Sequence, residues 1–190
     1  MKLTPLGIEG AWLAESPVLM DERGFFREWF NAGDVLAVTG VEFEIQQANI
    51  SQSQRGVIRG IHYSLAPQGQ AKWITCASGH VLDVIVDIRP NSATFKKVVQ
   101  VDLRGGEARA LLIGTGLGHG FLALEDNSVL TYLLSSQYAP QDEYEINPMD
   151  SDLNIDWQLG LVGGSGLIIS AKDSQAPSLS ERMALGKLPQ

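Results

Sequence analysis

From Val81 to Arg89 every even position is apolar, namely Leu82, Val84, Val86 and Ile88, while the odd positions include Asp83, Asp87 and Arg89. Successive side chains of an extended strand point to opposite faces, so this stretch reads as a β-strand with one core face. Similar short runs recur at 41–50, 56–64, 70–77, 96–103, 108–113, 119–124 and 128–134. Gly, Pro, Asn or Ser separates them at intervals of roughly ten residues, the spacing of all-β sandwiches and barrels. Such sheets must close on one another, and a jelly roll is one way to do so around a cavity. Helix is scarce. The best candidate runs from Asp34 to Thr39 and is closed by Gly40.

The chain has 190 residues, of which 44% are hydrophobic, enough for one well-buried core. No Pro- or Ser-rich linker divides it, so a single domain over 1–190 is expected. It has no apolar run of transmembrane length, and M-K-L-T-P-L-G-I-E-G at the start lacks the hydrophobic stretch of a signal peptide. A cytoplasmic protein away from membranes is the expectation. The single cysteine, Cys76, alternates with Ile74 on a strand and reads as a buried structural thiol. A formal charge of −8 argues against a general nucleic-acid surface, which needs a basic footprint. A small anion could still be held if folding gathers Arg23, Arg59, Lys72 and Lys172.

The densest chemistry lies in R-G-I-H-Y-S-L-A-P-Q-G-Q-A-K at 59–72, which sets an arginine, a histidine and a lysine on a strand-turn-strand unit. Imidazole, with an unperturbed pKa of about 6.5, is the side chain best poised to take a proton at neutral pH. Arg59 and His62 would face opposite sides of a regular strand. If both serve one site, Gly60 must mark a bulge that resets the alternation. Tyr132, in L-T-Y-L-L, alternates with Leu130 and Leu134 toward an apolar face, and Lys72 is suited to hold an oxyanion. Metal is not expected. The three histidines, His62, His80 and His119, form no H-x-H or H-x-x-x-H pair. G-T-G-L-G-H at 114–119 does not open a helix, so it is not a dinucleotide fingerprint, and no bound cofactor is implied.

With Q-Q-A-N-I-S-Q-S at 46–53, G-H-V-L-D-V-I-V-D-I-R at 79–89 and G-L-G-H-G-F at 116–121, the 59–72 segment resembles the dTDP-4-dehydrorhamnose 3,5-epimerase family from about Asp21 to Asp173. The resemblance implies a cupin-type jelly roll that dimerises. It makes His62 the general base, oriented by Asp173 in S-A-K-D-S-Q-A-P, and Tyr132 the general acid on the opposite sugar face. Lys72 would stabilise an enolate, and His119 would line the sugar site. For the nucleotide sugar it implies Arg23, Phe26 and Glu28 in D-E-R-G-F-F-R-E, Gln47 and Asn49, Arg59, Tyr138 and Glu143; Lys172, beside Asp173, joins the anion candidates. Phe26 or Tyr138 would stack on thymine, Phe26 and Glu28 would share strand parity, and the D-E-R-G-F-F segment would reach the partner subunit. Many members have lysine where this chain has Leu133, whose side chain should face away from the cavity. Gly118 and Gly114 replace the family's usual Ala and Pro, which would loosen that loop.

The implied reaction is epimerisation of dTDP-4-dehydro-6-deoxy-D-glucose at C3 and C5, whose hydrogens the C4 ketone acidifies. A monofunctional 3- or 5-epimerase, a ketoisomerase and a non-catalytic sugar-nucleotide-binding cupin remain alternatives.

Overall fold

The computed structural model describes residues 1–65, 69–163 and 166–190. The turn read at 66–68 and part of the loop read beyond Trp157, at 164–165, lie outside the described residues. In chain order the elements are β1 Lys2–Pro5, β2 Ala11–Glu15, β3 Leu19–Asp21, β4 Gly24–Phe26, α1 Ala32–Thr39, β5 Gln47–Ser53, β6 Val57–Ser64, β7 Lys72–Ser78 and β8 His80–Asp87. They continue as β9 Val98–Arg104, β10 Arg109–Ile113, β11 Leu117–Ala123, β12 Ser128–Leu134, β13 Glu143–Glu145, β14 Ile168–Ile169, α2 Ala171–Ser174 and α3 Leu179–Ala184.

Two large sheets face each other in a cupin-type jelly roll. One runs β1-β2-β10-β7-β12-β5, and the other β13-β6-β11-β8-β9 with β14 beside β6. Ile74, Cys76, Leu111, Ile113 and Leu130 from the first sheet meet Val81, Ile85, Leu117 and Phe121 from the second, forming the core between them. Cys76 is thus the buried thiol expected, and burial pushes its pKa up to about 11, which leaves it protonated and unreactive at neutral pH.

The one-core-face reading of 81–89 is corrected here. Every residue of β8 is buried. Leu82, Val84, Val86 and Ile88 point away from the inter-sheet core and pack under Ile146, Leu153, Trp157, Leu179 and Leu188, so the chain after β13 forms a cover over the second sheet. At about 1.5–3 kcal/mol for each large apolar side chain buried, those four residues make that outer layer a substantial part of the stability. Asp83 is therefore turned inward. The first sheet is covered likewise, where Trp73, Leu112 and Leu133 pack against Val35 of α1 and Phe43.

The strand expected at 41–50 begins only at Gln47. Val41, Phe43 and Ile45 do alternate with polar residues, yet only Phe43 finds a buried apolar site, beside the Phe30 ring at 5.5 Å, while Val41 and Ile45 stay exposed. The helix expected at 34–39 starts slightly earlier. The Asn31 side chain caps it by accepting from Asp34 N at 3.1 Å, and Gly40 closes it in the left-handed region. β1 to β4 and α3 carry weaker signals. The Ser178–Glu181 capping box, S-x-x-E, marks the start of α3.

Candidate active site

β6 pairs with β11 through His62 opposite His119 and Arg59 opposite Phe121, so three steps on β6 oppose two on β11. This is the bulge that the parity of Arg59 and His62 required. Gly60 sits in it at φ +117°, and a Cβ there would lie 2.6 Å from the Gly120 Cα and the His119 carbonyl oxygen. No other residue fits such an approach. The bulge turns both Arg59 and His62 toward one cavity of about 590 Å³ between the two sheets.

Behind His62 lies α2, whose cap residue Ser170 accepts the Asp173 N–H at 3.0 Å. Asp173 Oδ1 is 2.8 Å from His62 Nε2 and Oδ2 is 3.4 Å from the Gly60 N–H. Burial works against ionisation of Asp173. The bonds from His62 and Gly60 outweigh it and hold the carboxyl below its usual range. An ionised carboxylate only accepts, so His62 Nε2 carries the hydrogen and Nδ1 keeps the lone pair free to take a proton.

On the facing sheet, Tyr132 projects from β12 and Lys72 from β7 into the same cavity. Burial pushes the Tyr132 hydroxyl far above the ordinary phenol range, so it is protonated at neutral pH. Ser51 Oγ lies 3.1 Å from that hydroxyl. Lys72 is buried, with Nζ 3.5 Å from the His62 carbonyl oxygen. Desolvation lowers its pKa, and Glu143 and Asp83 oppose that fall.

His119, on β11, is buried beside Tyr132 with ring centroids 6.3 Å apart. Its Nε2 is 2.9 Å from Asp83 Oδ2, and burial lowers its pKa, so the neutral ring donates to that carboxylate. Asp83 is fully buried, and its Oδ1 has no hydrogen-bond partner among the described residues.

Gln47, Asn49, Arg59, Tyr138, Glu143 and Lys172 also line the cavity. Gln47 and Asn49 share a face of β5, and Gln47 Nε2 donates to Asn49 Oδ1 at 2.9 Å. Arg59 Nε donates to Ser53 Oγ at 3.1 Å, and Lys172 pairs with Glu145 at 3.1 Å. Glu143 Oε1 is buried without a partner among the described residues. Arg23, Phe26 and Glu28 do not line it. Arg23 Nε donates to its neighbour Asp21 at 3.0 Å, Phe26 is exposed, and Glu28 accepts from Asn31 at 3.2 Å. Phe26 and Glu28 do not share strand parity, because β4 ends at Phe26.

Leu133 faces away from the cavity into the cover over the first sheet, as expected. Gly118 does not loosen anything: it lies buried inside β11, and a Cβ there would meet Ile61 Cγ2 at 2.5 Å. Ser51, Gln70, Phe121 and Tyr144 line the cavity without having been singled out in the sequence. Ser51 shares the parity of Gln47 and Asn49, a signal that was available. Asp83, one of two carboxylates in a largely apolar strand, was another. Among the described residues no group of three or more His, Cys, Asp or Glu side chains is placed to hold a metal.

A jelly roll with a histidine–aspartate couple on one wall of a polar cavity and a buried tyrosine on the other defines an acid–base enzyme of the cupin type. The family model for dTDP-4-dehydrorhamnose 3,5-epimerase matches residues 5–181, and the chain belongs to that family of isomerases. It is 44% identical over 189 residues to the dTDP-4-dehydrorhamnose 3,5-epimerase of Mycolicibacterium smegmatis, covering 100% of this chain and 91% of that one. The Mycobacterium tuberculosis rmlC epimerase superposes with a TM-score of 0.96 at 42% identity, covering 100% of this chain and 94% of that one. ChmJ, a 3'-monoepimerase from Streptomyces bikiniensis solved with dTDP-quinovose, gives a TM-score of 0.92 at 41% identity, covering 98% of this chain and 92% of that one.

Proposed function

We propose that the protein converts dTDP-4-dehydro-6-deoxy-D-glucose to dTDP-4-dehydro-L-rhamnose by inverting C3 and C5 without a cofactor. The observation that carries this reading is the placement of His62, with Asp173, and of Tyr132 on facing sheets of one cavity. The C4 ketone acidifies the hydrogens on its neighbouring carbons, so a neutral imidazole can remove one. His62 Nδ1 takes that proton, and Asp173 stabilises the imidazolium. The Lys72 ammonium, in a desolvated wall, offsets the charge that develops on O4. Tyr132 then returns a proton from the opposite face, and the stereocentre inverts. Inverting both carbons takes two such cycles.

Arg59 and Lys172 supply cationic groups for the diphosphate, where a planar guanidinium pairs with two oxygens at once. Gln47, Asn49, Tyr138 and Glu143 complete the nucleotide-sugar contacts from the same chain, and His119 lines the sugar position. Arg23, Phe26 and Glu28 would reach this cavity from a second copy, which makes the working form a homodimer acting in the cytoplasm on a small nucleotide sugar rather than on nucleic acid or membrane. The exposed apolar side chains of β3 and β4 support that arrangement.

The test is turnover of dTDP-4-dehydro-6-deoxy-D-glucose in deuterated solvent with product NMR. Inverted product with deuterium at C3 and C5 is expected. Label at one carbon moves the reading to a monofunctional epimerase such as the 3'-monoepimerase it resembles, and binding with neither label nor product reduces it to a sugar-nucleotide binder.

A further inference from the structure

Each time Tyr132 gives up its proton it becomes a phenolate inside a wall that disfavours charge, so the site needs a way to restore that proton. The Tyr132 hydroxyl has one hydrogen-bond partner among the described residues, Ser51 Oγ at 3.1 Å. The other neighbours are committed elsewhere: His119 Nε2 is held by Asp83, and Asn49, opposite Tyr132 in the β5–β12 register, accepts from Gln47. Ser51 lies on the terminal strand of its sheet, is only partly buried and lines the cavity, while its neighbours Ile50 and Gln52 are exposed. Ser51 Oγ is therefore a hydroxyl that both contacts Tyr132 and borders the cavity.

Taking Tyr132 as the acid of the proposed reaction, we propose that Ser51 is a positioning residue that aims the Tyr132 hydroxyl at the far face of the sugar and renews its proton. A serine hydroxyl can accept and donate at once, so the exchange runs as one shift. As the Tyr132 O–H bond breaks and the new C–H bond forms, the Ser51 Oγ–H proton moves to the phenolate oxygen. A water proton replaces it on Ser51, because a serine alkoxide would not persist. The hydroxide left in solvent is neutralised by the proton that His62 releases there. One proton leaves the substrate on one face and one arrives on the other, with no oxidant or reductant.

The experiment compares wild type, Ser51→Ala, Ser51→Thr and Tyr132→Phe with dTDP-4-dehydro-6-deoxy-D-glucose in deuterated solvent. It follows inverted product and deuterium in recovered substrate separately. Ser51→Ala is expected to slow inversion by about 10–100-fold while exchange through His62 stays within about threefold, and Ser51→Thr recovers most of the loss. Tyr132→Phe should show the same pattern more strongly. A calorimetric titration with dTDP and a melting curve check that Ser51→Ala still binds and folds; its partly buried place on an edge strand makes alanine tolerable there. Inversion by Ser51→Ala at the wild-type rate, or a parallel fall of exchange and inversion, overturns the proposal. So does failure of threonine to rescue. Those results come from an active wild-type enzyme, whereas a wild type that forms no inverted product overturns the functional reading itself and this assignment with it.

Discussion

The cavity and the β3–β4 hairpin both hold residues that the family resemblance assigns to substrate, but in opposite physical circumstances. In the cavity three of the assigned side chains are braced by a partner: His62 by Asp173, His119 by Asp83, Tyr132 by Ser51. On the hairpin, Leu19, Met20, Phe25 and Phe26 are 62%, 71%, 54% and 68% exposed, and Arg23 is paired with its near neighbour Asp21. Proton transfer demands placement to within fractions of an ångström, and one chain's own packing supplies that. The hairpin residues assigned to the nucleotide have no such bracing toward the cavity among the described residues. The difference teaches that the groups assigned to the proposed chemistry meet within one copy, while the hairpin residues assigned to binding do not reach them there.

The largest expected effect tests the first half of that contrast. His62→Ala should reduce turnover and C–H exchange by at least about 10³-fold while dTDP binding, measured calorimetrically, changes little, because the proposed proton acceptor is lost and the proposed diphosphate anchors remain. Near-normal turnover would break the assignment.

Next in size is Lys72, which interacts with Glu143 on β13, Asp83 on β8, His119 on β11 and the His62 carbonyl on β6 and shares the cavity with Tyr132 and Arg59. Lys72→Met should cost about 10²–10³-fold in kcat, as loss of an oxyanion partner does. The sign of its pH dependence follows from burial, which lowers the pKa. The charge is lost as pH rises through that lowered pKa, so the alkaline limb of kcat/KM should lie below the ordinary lysine value of about 10.4 and vanish in Lys72→Met. A limb at or above that value contradicts the buried placement.

Arg23→Ala tests the hairpin. KM should rise about tenfold with kcat and melting temperature unchanged, the mark of lost uniform binding. Mixing Arg23→Ala with His62→Ala chains sharpens the point. If Arg23 serves the partner's cavity, hybrid dimers regain one intact site and low-KM activity returns; a mixture no better than its parts places Arg23 with its own chain. The smallest expected effect is none at all: exhaustive chelation should leave the rate unchanged, since no ligand cluster for a metal exists among the described residues.

The strands at 57–64, 72–78 and 128–134 were legible because hairpin punctuation and period-two alternation are local properties. Gly60 was legible for the same reason, since the parity of Arg59 and His62 is a matter of counting. The strand misread at 41–46 shows the limit. Its alternation is as clean as that of 81–89, yet only Phe43 finds a buried apolar site. Alternation says that a segment has two faces and not what lies against either. Hence the outer cover over β8 was invisible in the sequence, whereas the parity of Ser51 and the carboxylate of Asp83 could be read there without the groups that each would meet.

The sequence by itself determined an all-β chain, the condition under which the strand that bears His62 must carry a bulge, and a set of polar residues whose family resemblance named an epimerase. Only the tertiary structure decided which of them meet. Asp173 lies 111 residues from His62 along the chain and 2.8 Å away in space, and Tyr132 and Ser51 are 81 residues apart yet hydrogen-bonded. Local pattern encodes the direction of each side chain from its own backbone. The partner at the other end of a hydrogen bond is set by how the sheets close and what covers them, a property of the packed whole.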